Sequence, residues 1–161
     1  MEFAKWCVAT EESVQTHKLR GLGIATGGQA HAIGAIAKAV PGYYTDPKRV
    51  ADLLRKLGKP AAAAHVEQKL PTQASIRSGD LGEILCNAYV YEATPFNLGI
   101  KRLRWKDHRN MSMRGEDVLA FNFDSKSGSL KILKAEVKSR AGMRTAVIDE
   151  ARAALCANSG L

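Results

Sequence analysis

Apolar residues follow the spacing of β-structure in two neighbouring stretches, 118–123 and 130–137, both rich in β-branched, aromatic and aliphatic side chains. The cluster Asp124-Ser-Lys-Ser-Gly-Ser129 between them is made of turn formers, so the pair predicts an antiparallel hairpin. Elsewhere the period is helical. Leu81, Ile84, Leu85 and Ala88 share one face of a helix, with Asp80 placed as its N-cap and Glu83 in the reciprocal capping position. Asp46 caps another helix with Pro47 at its first position, and Val50, Leu53, Leu54 and Leu57 form its apolar stripe as far as Gly58. Pro60 opens a short helix over 61–70, stopped by Pro71. The Ala- and Ile-rich stretch 29–40 predicts a buried helix ended by Pro41-Gly42. A last helix covers 142–157, with Val147, Ala151, Ala154 and Leu155 on one side.

Shorter signals complete the picture. Trp6 and Val8 alternate with Lys5 and Cys7, predicting a strand over 3–9, and 98–105 reads as a strand after the break at Pro95. The polar stretch 11–20 is a linker or the start of a helix. The glycine-rich stretch 21–28 fits neither G-x-G-x-x-G nor G-x-x-x-x-G-K, and predicts a flexible turn rather than a phosphate loop. Residues 108–113 read as a loop. An α/β chain of the α+β kind follows: a mainly helical N-terminal segment, 1–74, then 75–161 carrying the hairpin, with the boundary at 71–75.

The 161 residues are one domain's length, enough to bury a core. Twenty-four basic against 16 acidic residues give a net charge of +8, which favours an anionic partner, most commonly nucleic acid. Cys7, Cys86 and Cys156 form no C-x-x-C pair, so neither a zinc ribbon nor a disulfide framework is indicated; Cys86 reads as a small core residue. His17, His31, His65 and His108 lack metal-ligand spacing and read as surface or partly buried. Without a signal peptide or a long apolar segment, the expected location is the cytoplasm, with no membrane partner.

Charge placement on the hairpin supplies the chemistry. Asp117 opens the first strand, while Glu136 and Lys138 end the second on one face and Val137 points to the other. Pairing sets Asp117 beside Glu136, and two adjacent carboxylates repel unless a cation or proton lies between them. Hard oxygen ligands of this kind suit Mg²⁺, which keeps water and substrate phosphate in its shell. Lys138 adds a point charge able to hold a phosphate or orient a water. Glu83, one turn into its helix, can reach the same place. Lys101, Arg102, Arg104, Lys106, Arg109 and Arg114 crowd together against Asp107, where a phosphate backbone could lie and Trp105 could stack on a base. Arg140 and Arg144 flank the site. The plainer alternatives stay open: Glu-x-Lys as a solvated ion pair, Glu83 as a cap, and the basic run as a solvated edge.

The series Gly79-Asp80-Leu81-Gly82-Glu83, Gly115-Glu116-Asp117 and Glu136-Val137-Lys138-Ser139 resembles the PD-(D/E)XK nuclease superfamily. More narrowly, it is similar to the HamA family, the nuclease subunit of Hachiman anti-phage defence, over about 75–155 and more weakly at the N-terminus. The resemblance implies a restriction-endonuclease-like core, a small mixed sheet flanked by helices. It implies Glu83, Asp117, Glu136 and the Val137 carbonyl around Mg²⁺ (or Mn²⁺), with Lys138 assisting the water. Lys101, Arg102, Arg104, Arg114, Arg140 and Arg144 would contact DNA, and a helicase subunit (HamB-like) would be the partner. Glu116 stands where the superfamily has a proline. The helix after Glu-x-Lys normally leads into another strand, whereas this chain stops at 158–161, which suggests a reduced or C-terminally incomplete core with an uncovered sheet edge. Two other readings follow from these departures and from the residues. One is a nuclease-fold module that binds DNA or docks a helicase without cutting. The other is a helical scaffold in which the carboxyl groups of Asp117 and Glu136 point apart.

Overall fold

The computed structural model describes residues 1–142 and 144–157, which divide into two compact units, Met1–Val40 and Pro41–Leu161. The first unit starts with a 3-10 turn, Phe3–Lys5, followed by strands β1 (Cys7–Val14) and β2 (His17–Ile24) and helix α1 (Gln29–Ala39). β1 and β2 pair antiparallel from Cys7↔Ile24 to Val14↔His17, around a tight turn in which Gln15 takes φ 55°. Strand thus occupies 11–14 and 17–20, where a linker or helix start was expected, and the glycine-rich stretch runs on as β2 to Ile24. Val8, Val14, Leu19, Leu22 and Ile24 are all exposed in this ribbon. A ribbon open on both sides imposes no inside-outside alternation, so the sequence carries no period to read. Trp6 is buried instead, its ring 5.0 Å from that of Phe3 and its Nε1 donating to the Met1 carbonyl at 3.1 Å. Helix α1 forms where expected, but Ala32 is its one buried residue among those described, against the expectation of a buried helix.

The second unit contains helices α2 (Pro41–Tyr44), α3 (Pro47–Lys69), α4 (Ala74–Ala93) and α5 (Thr145–Ala157), with strands β3 (Asn97–Leu98), β4 (Val118–Asp124) and β5 (Ser129–Ala135). The α+β class holds. The sheet order is β3-β4-β5 with antiparallel pairing throughout, where a mixed sheet was expected. The expected boundary at 71–75 falls inside this unit, at the break between α3 and α4. The chain stop at 158–161 lies outside the described residues.

Local chemistry explains most of these elements. The Asp46 side chain accepts from the Lys48 backbone N–H at 2.7 Å, capping α3. Gly58 breaks α3 at φ 79° and ψ 176°, a conformation glycine adopts without a Cβ penalty, so the two expected helices appear on either side of it. β4 and β5 register from Val118↔Ala135 to Asp124↔Ser129, as the hairpin pattern requires. Stretch 98–105 is not a strand: after β3 it winds into a 3-10 turn, Arg102–Trp105, that buries Leu103 and leaves Trp105 72% exposed.

Helix α4 begins at Ala74 rather than at Asp80. Its start is held from a distant loop, where Asn110 Oδ1 accepts from the backbone N–H groups of Thr72 (2.8 Å) and Gln73 (3.2 Å). Val90, Val118 and Ala120 form a core that Cys86, Phe96, Leu98, Leu133 and Val137 pack against, Cys86 as expected. Gly82 lets α4 approach the end of the hairpin: a Cβ there would lie 3.0 Å from Val137 Cγ1 and 3.4 Å from Ser139 Cβ. Gly82→Leu should therefore cost about 1–3 kcal/mol through overpacking. Urea denaturation checks this; an unchanged midpoint would mean the helix does not press on the strand.

Candidate functional site

Because Val118 pairs with Ala135, the next positions outward are Asp117 and Glu136. The Val137 N–H donates to Asp117 Oδ2 at 2.8 Å, so a carboxylate continues the ladder beyond the last backbone rung. Helix α4 brings Glu83 to the same place. Glu83, Asp117, Glu136 and Lys138 line one cavity of about 190 Å³, together with Asp80 and Arg102. Lys138 Nζ donates to Glu136 Oε1 at 2.7 Å, and both side chains are largely buried, at 24% and 13% exposure. Asp117 and Glu136 thus share one space instead of pointing apart.

Arg102, expected on a phosphate-facing edge, points into this cavity. Its Nε and Nη2 donate to Glu83 Oε2 at 2.9 and 2.8 Å, Nη2 also reaches Asp117 Oδ1, and Nη1 donates to the Gly115 carbonyl at 3.0 Å. The reason is charge balance: two nearly buried carboxylates are costly without a cation beside them. Burial pushes the Glu83 carboxyl above its usual range, against the pull of Arg102, while Asp117 and Asp80 add to the rise. Burial alone would weaken the Arg102 cation, but Glu83 and Asp117 outweigh it and hold the guanidinium charged.

Beside Glu83 sits an ion pair the sequence did not reveal. Lys106 Nζ donates to Asp80 Oδ1 (3.0 Å) and Oδ2 (2.7 Å), and the Tyr44 hydroxyl donates to Asp80 Oδ2 at 2.6 Å. The Lys106 side chain is 2% exposed and that of Asp80 8%. Asp80 was expected at a helix start and Lys106 on a solvated run. A signal was present all the same, since Asp80, Glu83 and Asn87 recur on the buried face with Ile84 and Ala88.

The other expected phosphate contacts lie elsewhere. Lys101 stands over the Tyr43 ring, 4.3 Å from its centre. Arg104 donates to the Gly42 carbonyl through Nε (3.1 Å) and Nη2 (2.8 Å). Arg114, Arg140 and Arg144 are exposed, and Arg140 pairs with Glu150 at 3.5 Å. Glu116, in the place of the superfamily's proline, pairs with Lys134 at 2.9 Å and takes no part in the cavity.

The donor set is chemically suited to a hard divalent cation: carboxylate oxygens from three chain segments facing one space. Glu83 Oε2 and Asp117 Oδ1 both accept from Arg102 Nη2, so they lie within two hydrogen-bond lengths of each other. That spacing is filled by the guanidinium, and among the described residues no group of three or more His, Cys, Asp or Glu is arranged to hold a metal ion. The residues fit the ion by type, with Arg102 withdrawn.

The raised Glu83 value has a sign that can be measured. Folded Glu83 keeps its proton to higher pH than the unfolded chain does, so its ionisation weighs against the native state as pH rises through that window. The stability difference between wild type and Glu83→Gln should shift in favour of wild type as pH falls from above the raised value into the ordinary carboxylate range. Urea midpoints at stepped pH read this, and a constant difference would contradict it.

A helix-backed antiparallel hairpin, with acidic side chains from three segments meeting at its open end, defines an α+β protein built around a buried ionic site. The chain belongs to the HamA family, whose model matches residues 1–159. It is similar to the Hachiman protein HamA of Bacillus cereus, with 26% identity over 156 residues, covering 93% of this chain and 55% of that protein. The chain thus spans about half the length of the curated relative it matches. Among the described residues, no helix is long and apolar enough to cross a membrane.

Proposed function

We propose that this chain is a metal-dependent nuclease that hydrolyses DNA phosphodiester bonds in the cytoplasm, as an effector of Hachiman anti-phage defence working with a helicase subunit. The observation that carries the reading is the convergence of Glu83, Asp117, Glu136 and Lys138 on one small cavity. Family membership supports the defence role, and the net charge of +8 supports an anionic substrate. Asp117, Glu136 and the Val137 carbonyl would hold Mg²⁺ or Mn²⁺, with Glu83 supporting the ion directly or through water. When bound, such an ion polarises the phosphoryl group and offsets charge developing on its oxygens.

The remaining roles belong to side chains. Lys138, paired with Glu136 yet partly open to solvent, orients the attacking water by hydrogen bonding through Nζ and offers positive charge to the scissile phosphate. With a cation held by Glu83 and Asp117, Arg102 would be released from bridging them and would offer its guanidinium to a phosphate. Arg114, Arg140 and Arg144 guide the backbone of the nucleic acid from the exposed surface. Incubating supercoiled plasmid with the protein in Mg²⁺ or EDTA tests this. Cleavage should need the ion and fall about 100-fold or more in Glu136→Ala and Lys138→Ala; unchanged cutting in both variants would remove those roles.

One observation favours a second reading, a nuclease-fold module that binds DNA or docks the helicase without cutting. Arg102 already bridges Glu83 and Asp117, so a cation stands between the two acids without a metal ion. Under that reading DNA binding is salt-sensitive, no cleavage occurs, and Mg²⁺ gives no binding heat.

A further inference from the structure

A larger cavity, about 540 Å³, opens beside the turn Arg102–Trp105 and is lined by none of Glu83, Asp117 and Glu136. Its volume falls within the roughly 300–1,000 Å³ typical of small-ligand sites. Arg49, Lys69, Lys101 and Arg104 line it, and Asp46 is the carboxylate among its lining residues. Asp46 is already engaged, accepting from the Lys48 N–H and pairing with Arg104 at 3.4 Å. Arg49 and Lys69 pair with no carboxylate among the described residues, so the cavity carries uncompensated positive charge. His65 reports that field: burial first, then Arg49 and Lys69, pull its pKa below the usual value. Trp105 lines the same space with 72% of its surface exposed. A large aromatic face held open beside free cations is the pairing that receives a base together with its phosphate.

We propose that this cavity binds one nucleotide unit, its phosphate held by Arg49, Lys69 and Lys101 and its base stacked on Trp105. Lys101 is positioned for this by its seat over the Tyr43 ring. The site adjoins the carboxylate cavity through shared structure. The turn Arg102–Trp105 sends Arg102 into one cavity and Arg104 and Trp105 to the other, and the Tyr44–Asp80 hydrogen bond joins the two linings. The unit belongs to a free nucleotide or to a single strand, and both present the same chemistry. The inference does not depend on cleavage.

The test uses the whole chain and reads binding. Deoxyadenosine monophosphate, deoxyadenosine, a single-stranded DNA 12-mer and polyglutamate are each titrated while tryptophan fluorescence and labelled-strand anisotropy are followed. The strand or the monophosphate should quench fluorescence, and Trp105→Ala should abolish that quench and weaken binding about tenfold. Arg49→Glu with Lys69→Glu should weaken binding by tenfold or more and reduce the salt slope by about 0.7, one phosphate contact on a single strand. Binding of both ligands identifies a free-nucleotide site, and binding of the strand alone identifies a strand site. Lys126→Glu with Lys131→Glu, the same charge change on the exposed hairpin, should leave binding intact. The proposal is overturned if neither ligand quenches, if the cavity variants bind like wild type, if the hairpin control loses as much, or if deoxyadenosine or polyglutamate binds as well as the phosphorylated ligand.

Discussion

Lys106→Met is expected to destabilise the protein by about 3–5 kcal/mol, the cost of leaving one charge of a buried pair without its partner. The Lys106 amine contacts both Asp80 oxygens and is almost wholly out of solvent, so water cannot substitute for it. After its removal the Tyr44 hydroxyl alone among these partners faces the carboxylate, and one neutral donor does not balance a full charge. For a domain stabilised by roughly 5–15 kcal/mol in total, such a loss places much of the population near unfolding. The double variant Asp80→Leu with Lys106→Met removes both charges and should recover most of the stability, since apolar replacement of a buried pair is often neutral or better. Urea denaturation of the three proteins measures this. A single-variant cost below about 1 kcal/mol would mean the pair behaves as a solvated one.

Arg102→Ala should be comparably destabilising in the absence of divalent ions, and should make stability depend on Mg²⁺. Without the guanidinium, Glu83 and Asp117 face each other across a site whose burial already disfavours the charged form of Glu83. A cation that binds only the folded chain then restores stability by mass action, about 2.7 kcal/mol at a hundredfold excess over its dissociation constant. Wild type should respond less, because the ion must displace an arginine already in place. Thermal melts of both proteins with and without Mg²⁺ distinguish the cases. A variant that melts at the same temperature in either condition would show that the two acids do not form a cation site.

The legible parts of the fold were those in which one short stretch decides the outcome. The hairpin follows from alternation on either side of a turn cluster, and its register alone puts Asp117 beside Glu136. Asp46 and Gly58 fix the ends of the first segment of α3 by local hydrogen bonding and backbone freedom. The misread parts depend on residues far apart. Asn110 tethers the Thr72 and Gln73 N–H groups just ahead of α4 from a distant loop, so no local signal marks residue 74, and Asp80 looked like the cap it is not. Lys106 and Arg102 sit in a run of basic residues that composition cannot divide into solvated and buried. Their inward turn is set by the acids waiting on α4 and just ahead of β4. The N-terminal ribbon escaped detection because it exposes both of its faces.

A calorimetric titration of Mg²⁺ into the wild-type chain and into Asp117→Asn bears most directly on the gathered carboxylates. One ion should bind each wild-type chain and binding should vanish in the variant, whose amide keeps the shape but not the charge. Equal heats in the two proteins, or none in wild type, would contradict a cation site at the end of the hairpin.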